Sequence, residues 1–346
     1  MESDFRASLP CEPRYDRAKR TWIVSRFADV SSALKESALV LAASSGEAIT
    51  QGGDPEERSQ NASGAAADVL RMFDGCREAT NDAARRVVCA ASARGQADLV
   101  FDVAHKWSAK MIERLCAGPD MAASDIEDLA RALLYEGIDR SGWTGLKRLM
   151  RPLASLRAHR QTKKAKQSLK EMMGRGEIRV TKSTFIGMAQ TLPSFLGRAW
   201  LALLENPDQA ALLKAEPETM ANAIEELLRY AGIVHTLYRQ ARRDVRVREM
   251  AITAGDFVVL KVDSANFDEQ RFPNPYRLDI RRRPVGHLGL GTGIHACAGA
   301  LMVREAFAAL TPVLLAANPM LDAGRAVLWT ADHTLRWPVR VPVRLG

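Results

Sequence analysis

The sequence predicts a mostly helical fold with a minor β part, and three observations carry that expectation. Apolar residues recur at spacings of three and four from residue 65 to about 175, and the pattern resumes near Ser183. Asn206-Pro207-Asp208 has the chemistry of a helix start, because Asn can cap and Pro fits a first turn where its missing N–H costs nothing. Alternating β-rich runs are short and confined to a few places.

Taken in order, Thr21–Ser25 (TWIVS) reads as a strand and residues 28–35 as a short helix. Residues 44–64 are rich in Gly, Ser, Asn and Gln and read as a loop. One helix is expected to end before Asn206 and another to run to Glu216. A third is expected over Glu218–Tyr230, with Ile224, Leu227 and Leu228 on one face. Residues 244–248 and 250–253 alternate as a hairpin does, and Ala254-Gly255-Asp256 turns the chain into Phe257–Leu260. Phe272–Pro284 is irregular and proline-containing. A Gly-rich loop, 286–299, leads into a helix over residues 300–317, and residues 328–343 are strand-like.

Composition narrows the function classes. The chain has 346 residues, 47% of them apolar, 26% charged and 6% aromatic, which is too apolar for a disordered protein. It has no apolar block of membrane-span length, and Met1–Leu9 lacks a signal-peptide core, so a cytoplasmic protein is expected. Five cysteines at irregular spacing, with no CxxC pair, speak against a disulfide scaffold or a structural zinc site. The net charge is +8, and residues 147–182 hold twelve Lys or Arg against Glu171 and Glu177. This segment is either a solvated basic face or a docking surface for an acidic partner; no RNP-type aromatics, zinc finger or clear helix-turn-helix points to nucleic acid.

The stretch that carries chemistry is Leu290-Gly291-Thr292-Gly293-Ile294-His295-Ala296-Cys297-Ala298-Gly299. It sets one Cys at the mouth of a helix behind a loop of glycines. A helix N-terminus favours thiolate over thiol, and a thiolate with no second Cys or His at zinc spacing suits a single axial bond to a haem iron. A packing role for the Cys is the bland alternative. The segment also spells GxGxxA, but no apolar strand precedes it and no acidic residue follows at the spacing a dinucleotide site needs.

This segment resembles the haem-binding loop of the cytochrome P450 family, FGxGxHxCxG, with Leu290 where the family has Phe. Glu226-Leu227-Leu228-Arg229 matches the family's ExxR helix, and Arg277, in Phe272-Pro273-Asn274-Pro275-Tyr276-Arg277, falls where a second Arg closes a buried triad with Glu226 and Arg229. Gly187-Met188-Ala189-Gln190-Thr191 falls where the family's long helix crosses the haem. The resemblance implies a single cytochrome P450 domain over 1–346, with non-covalent haem b, since there is no CxxCH. It implies Cys297 as the axial ligand and Arg85, Arg239 and His295 at the propionates, with Gly291 and Gly299 in the cofactor loop. Thr191 and Gln190 take the catalytic positions, and Gly187, Met188, Val234, Thr236 and Leu237 line the substrate pocket. The activity it implies is hydroxylation or epoxidation of a small organic molecule with dioxygen. Electrons would come from a ferredoxin or flavodoxin docked on Arg85, Arg86, Arg242, Arg243 or Arg281–Arg283.

Several positions depart from the family pattern. Gln190 stands where an acid relays protons, and an amide cannot gain or lose a proton near neutral pH. Met188 replaces a Gly that opens room for dioxygen, and Pro193 removes a backbone N–H. The chain is also shorter than usual members before Trp22 and between about 130 and 184, where the substrate roof lies. These departures favour, as an alternative, a haem-thiolate enzyme that does not activate dioxygen (a peroxide-driven oxidase, dehydratase, isomerase or coupling enzyme) or a non-catalytic haem protein.

Overall fold

A computed structural model of the chain describes residues 10–42, 77–116, 182–283, 286–330 and 334–346, together with residues 129, 160, 163–164, 167–172 and 174–175. The loop expected over 44–64, and most of the basic segment 147–182 and of the shortened region 130–184, lie outside the described residues. Among the described residues no helix is long and apolar enough to cross a membrane. The chain divides into two compact units. Residues 1–59, 221–297 and 333–335 form the first; residues 60–220, 298–332 and 336–346 form the second.

The first unit is built on a five-stranded sheet of order β1-β2-β8-β5-β3, from β1 (Arg14–Asp16), β2 (Thr21–Val24), β3 (Leu39–Leu41), β5 (Thr236–Ala241) and β8 (Phe257–Lys261). β2 runs parallel to β8, pairing Trp22 with Val258, while β5 lies antiparallel to β8 with Tyr238 opposite Val259. Alternation decides the buried face: Val258 and Leu260 are fully buried and meet Val24, Leu39 and the α1 residues Val30, Ala33 and Leu34 (α1, Phe27–Lys35). The expected hairpin is present as β6 (Val245–Val247) and β7 (Met250–Ile252). β1 and β3 were not anticipated, being too short to alternate visibly.

The second unit is mainly helical. It holds α2 (Arg77–Ser92), a π-helix Leu99–His105 running into α3 (Lys106–Cys116), then α4 (Lys182–Ile186), a π-turn Gly187–Thr191, α5 (Leu192–Glu205), α6 (Pro207–Ala215) and α9 (Ala300–Ala316). β4 (Gln96–Asp98), β12 (Pro342–Arg344) and β9 (Met320–Leu321) make a small sheet, and β10 (Leu328–Trp329) pairs with β11 (Pro338–Arg340). Trp200 on α5 is buried and donates its indole N–H to Thr311 Oγ1 on α9 at 3.0 Å. Pro207 opens α6 as expected, but Asn206 does not cap it. Its amide turns back and donates to the Ala202 carbonyl at 2.8 Å, closing α5 instead.

Candidate functional site

α7 (Met220–Tyr230) follows a 3-10 turn at Pro217–Thr219, so the helix expected from Glu218 begins two residues later. Ile224, Leu227 and Leu228 are buried on its apolar side. Glu226 and Arg229, three apart on one face, are buried and joined twice: Arg229 Nε to Glu226 Oε2 and Nη2 to Oε1, each at 2.8 Å. The second arginine on Glu226 is Arg282, not Arg277. Arg282 Nε donates to Oε1 at 3.1 Å, and its Nη1 and Nη2 donate to the carbonyls of Pro273 and Asn274. Arg277 is exposed; its N–H donates to the Asn274 carbonyl at 3.2 Å, and its carbonyl accepts from Arg282 Nη2 at 3.4 Å. The physical reason is the tight turn at Asn274 (φ 51), which directs Arg277 outward and lets the chain re-enter at Leu278 and Ile280, both buried.

This network holds the Gly-rich loop. Arg229 Nη1 donates to the Asn266 carbonyl, and the Asn266 side chain in turn accepts the Leu288 N–H, both at 2.8 Å. His287 lies 2.9 Å from Glu225 through Nε2 and accepts the Gly289 N–H at Nδ1. Gly289 touches the Leu228 carbonyl so closely that a Cβ there would overlap it. At Gly293 the backbone has φ 75 and a Cβ would lie 2.8 Å from the Leu34 carbonyl, so a left-handed conformation and a close approach coincide. Gly291 also has positive φ. Gly293–His295 is one 3-10 turn, in which His295 is partly buried. Cys297 is exposed, outside any disulfide, and its N–H donates to the Leu290 carbonyl at 2.8 Å, closing the loop on itself. Gly299 directly precedes α9.

Arg239 sits on β5 in the same unit, 2% exposed. Nη1 donates to the Tyr238 carbonyl at 3.0 Å, and no carboxylate among the described residues pairs with it. Burial alone pushes its guanidinium down to about 10. At the head of β5, Thr236 is buried and accepts from Lys261 Nζ at 2.9 Å. Lys261 and His235 each lie 3.7 Å from Asp263, whose carboxyl is pushed up by burial. Val234 and Leu237 are partly buried against the unit's core, and Val234 bridges to Leu335.

The remaining candidates lie in the second unit. In the π-turn 187–191, Met188 is buried in the unit's core, Gly187 has open space where a Cβ would stand, Gln190 is partly buried and Thr191 exposed. Arg85 is exposed on α2, 3.8 Å from Asp82, which also pairs with Arg86. Asp82 thus competes for Arg85 as a ligand-holding residue.

A model of the cytochrome P450 family matches residues 216–316, the span from α7 through the loop to α9. The chain is 35% identical over 155 residues to 6-deoxyerythronolide B hydroxylase of Saccharopolyspora erythraea, covering 44% of this chain and 38% of that protein. It is 26% identical to the β-dihydromenaquinone-9 ω-hydroxylase of Mycobacterium tuberculosis over 95% of this chain and 73% of the other. The matches therefore span about two fifths of the first curated relatives and a larger share of the second. Among solved structures, cytochrome P450 PksS of the bacillaene polyketide synthase of Bacillus subtilis superposes with a TM-score of 0.75 at 22% identity, covering 97% of this chain and 94% of that one. The fold is the mainly helical P450 fold, and over residues 216–316 the chain is similar to the cytochrome P450 family.

Members of this family bind haem through a cysteine thiolate, and haem is the expected cofactor. The residues present fit such a group. Arg239 is a buried cation whose natural counter-charge is an anion from outside the chain, as a propionate is. Among the described residues no group of three or more His, Cys, Asp or Glu could hold a bare metal ion. No local pattern points to Asn266, to His287 with Glu225, or to Arg282 as a partner of Glu226. The first three act through the fold at long range, and Arg282 was hidden in the run Arg281-Arg282-Arg283. Arg282 is committed to Glu226, which removes it from the arginines expected on a docking face.

Proposed function

We propose that the chain is a haem-thiolate monooxygenase that hydroxylates or epoxidises a small organic molecule. The observation that carries this is the loop 286–297. Its backbone is fixed by Asn266, His287 and the Leu228 carbonyl to a buried Glu226–Arg229–Arg282 network, while Cys297 at its end stays accessible. Rigid support for one exposed sulfur is what an axial ligand needs, because ligand geometry and hydrogen bonding tune the metal. Cys297 is the proposed axial thiolate, and Arg239 and His295 the proposed propionate partners. Arg85, exposed beside Asp82, is the weaker candidate.

When bound, the haem supplies the oxygen and electron chemistry: one atom of dioxygen enters the substrate, and the other leaves as water at the expense of two electrons and two protons. The protein's part is to hold the sulfur, neutralise the propionates, shape the pocket and deliver protons. Thr191 is the hydroxyl that donates and accepts at the reacting centre. Gln190 orders water without changing its own protonation, so protons arrive through water rather than through a side-chain acid. Val234, Thr236, Leu237 and Gly187 are proposed pocket residues. Electrons are proposed to come from an acidic ferredoxin or flavodoxin, for which Arg86, Arg242 and Arg243 remain exposed.

Gln190 specifically favours a second reading, an enzyme of the same haem-thiolate class that uses peroxide or needs no oxidant. Supplying the hemin-loaded protein with a panel of small apolar substrates, and either ferredoxin, reductase and NADPH under air or hydrogen peroxide alone, separates the two. Product from the first mixture supports the monooxygenase; product only from the second overturns it. Cys297→Ser is expected to abolish the thiolate signature of the ferrous–carbon monoxide spectrum. Persistence of that signature, or a wild-type protein that takes up no hemin, overturns the assignment.

A further inference from the structure

We propose that the second unit carries a binding site for a small phosphate monoester, in the groove between α2 and α3. Phosphate binding there is independent of the haem chemistry proposed above. The two helices lie antiparallel. The Trp107 indole N–H on α3 donates to the Thr80 carbonyl near the start of α2 at 3.2 Å, and Arg94, just past the end of α2, meets Asp102 in the π-helix before α3 at 3.1 Å. Alongside these ties they leave a groove of about 240 Å³. Its floor is Val87, Ala90 and Ala109, and the two alanines leave open the trough that longer side chains would fill. A groove of this size falls below the usual range for a drug-sized molecule, so the ligand it takes is small.

The rim sets the charge of that ligand. Arg86 and Arg94 stand on the α2 side, and Lys106 and Lys110, one turn apart, on the α3 side, against the carboxylates of Asp102 and Glu113. Four cations over two carboxylates leave two positive charges, which a dianion matches and a monocarboxylate does not. Just outside the groove, Arg85 and Asp82 cancel one another. Asp102 is already committed: Oδ2 accepts the Asp98 N–H at 2.9 Å, and Oδ1 takes Arg94. Lys106 lies 3.9 Å from that same Oδ1, beyond hydrogen-bond length, so its ammonium hydrogens stay available to a ligand. Lys110 is exposed and meets no carboxylate among the described residues. Arg86 pairs with Asp82 on its own helix, an exposed pair from which a stronger acceptor can draw it. A phosphate monoester carries close to two negative charges at neutral pH and offers three strong acceptor oxygens, one each for Arg86, Lys106 and Lys110. Its organic part then covers the apolar floor.

Isothermal titration of the full chain at low ionic strength tests this with phenyl phosphate, phenyl sulfate and inorganic phosphate. Phenyl phosphate is expected to bind with a dissociation constant of about 1 mM or tighter. Phenyl sulfate, of the same shape with one charge, should bind about fivefold more weakly. Affinity for phenyl phosphate should fall similarly between about pH 7.5 and about pH 5, as the monoester takes up a proton. Lys110→Gln is expected to weaken it about three- to fivefold, and Lys106→Gln/Lys110→Gln about tenfold. Ala90→Leu, at an exposed position, fills the trough, so it should weaken phenyl phosphate several-fold and leave inorganic phosphate unchanged. Diffuse attraction to a basic surface would not give that split. No saturation by about 10 mM, equal binding of the sulfate and the phosphate, or binding untouched by the lysine variants overturns the proposal. So does an acidic ferredoxin whose binding the lysine variants weaken when phenyl phosphate does not bind, because the groove is then a docking face for the carrier. Should Ala90→Leu fail to fold, Ala90→Gln reads the same trough.

Discussion

Glu226 is fully buried, so what it costs depends on how many donors reach it. Four do: two from Arg229, the Asp279 N–H at 3.2 Å and Arg282 Nε at 3.1 Å. Arg282 also ties down three carbonyls of the irregular stretch before it, those of Pro273, Asn274 and Arg277. Arg282→Ala is therefore expected to destabilise by about 3 kcal/mol, the usual consequence of removing one partner from a buried charged network. Arg277→Ala, at an exposed side chain and with both backbone hydrogen bonds of the residue left in place, is expected to stay within about 0.5 kcal/mol of wild type. Urea denaturation of the two variants checks this, and a larger loss from Arg277→Ala reverses the assignment. The sequence alone could not choose between them, since both arginines lie at reachable distances beyond Pro273 and Pro275. Only the turn at Asn274 decides which one faces inward.

At the scale of the element, the loop 286–297 is legible in the sequence as a glycine-rich approach to a helix, yet the reason for its glycines is not. Gly289 is needed because the C-terminal carbonyl of Leu228 on α7 lies against it. That contact joins two segments about 60 residues apart, which no local pattern reports. Gly289→Ala must push backbone against backbone, and overpacking of this kind costs about 1–3 kcal/mol. The same change at Gly187 meets open space at an ordinary φ and adds helix propensity. Thermal melts are expected to show Gly289→Ala clearly lower than wild type, with weakened hemin uptake, and Gly187→Ala at or above it. Equal melting temperatures would mean that the loop is not braced by α7. The hairpin β6–β7, α1 and α7 were readable because alternation and three-four periodicity are local signals. The π-helices at 99–105 and 187–191 were not, because a one-residue slip in hydrogen bonding leaves no mark on which residues are apolar. Pro193 was the single visible clue to the second.

For the molecule as a whole, Arg239 opposes stability to function. With its charge buried and no carboxylate beside it among the described residues, the folded apoprotein prefers the neutral guanidine more than the unfolded chain does, which is why burial lowers it to about 10. Below about pH 10 the group is charged in both states, and the full cost of burying it falls on the folded one. Above about pH 10 the folded protein has released the proton that the unfolded chain still holds, so this group's contribution to stability rises with pH. A carboxylate supplied by a bound haem reverses the balance, giving the guanidinium its counter-charge and two directed hydrogen bonds. Arg239→Gln is thus expected to melt above wild type as apoprotein at pH 7.5, with the advantage shrinking above pH 10. Its hemin affinity should fall roughly 10- to 100-fold, the usual reach of a lost charge-assisted pair. Melting curves with and without hemin across that pH range, with a hemin titration at pH 7.5, measure both sides. An apoprotein variant less stable than wild type, or one that binds hemin equally well, would show that Arg239 is satisfied by the chain itself and does not wait for an anion.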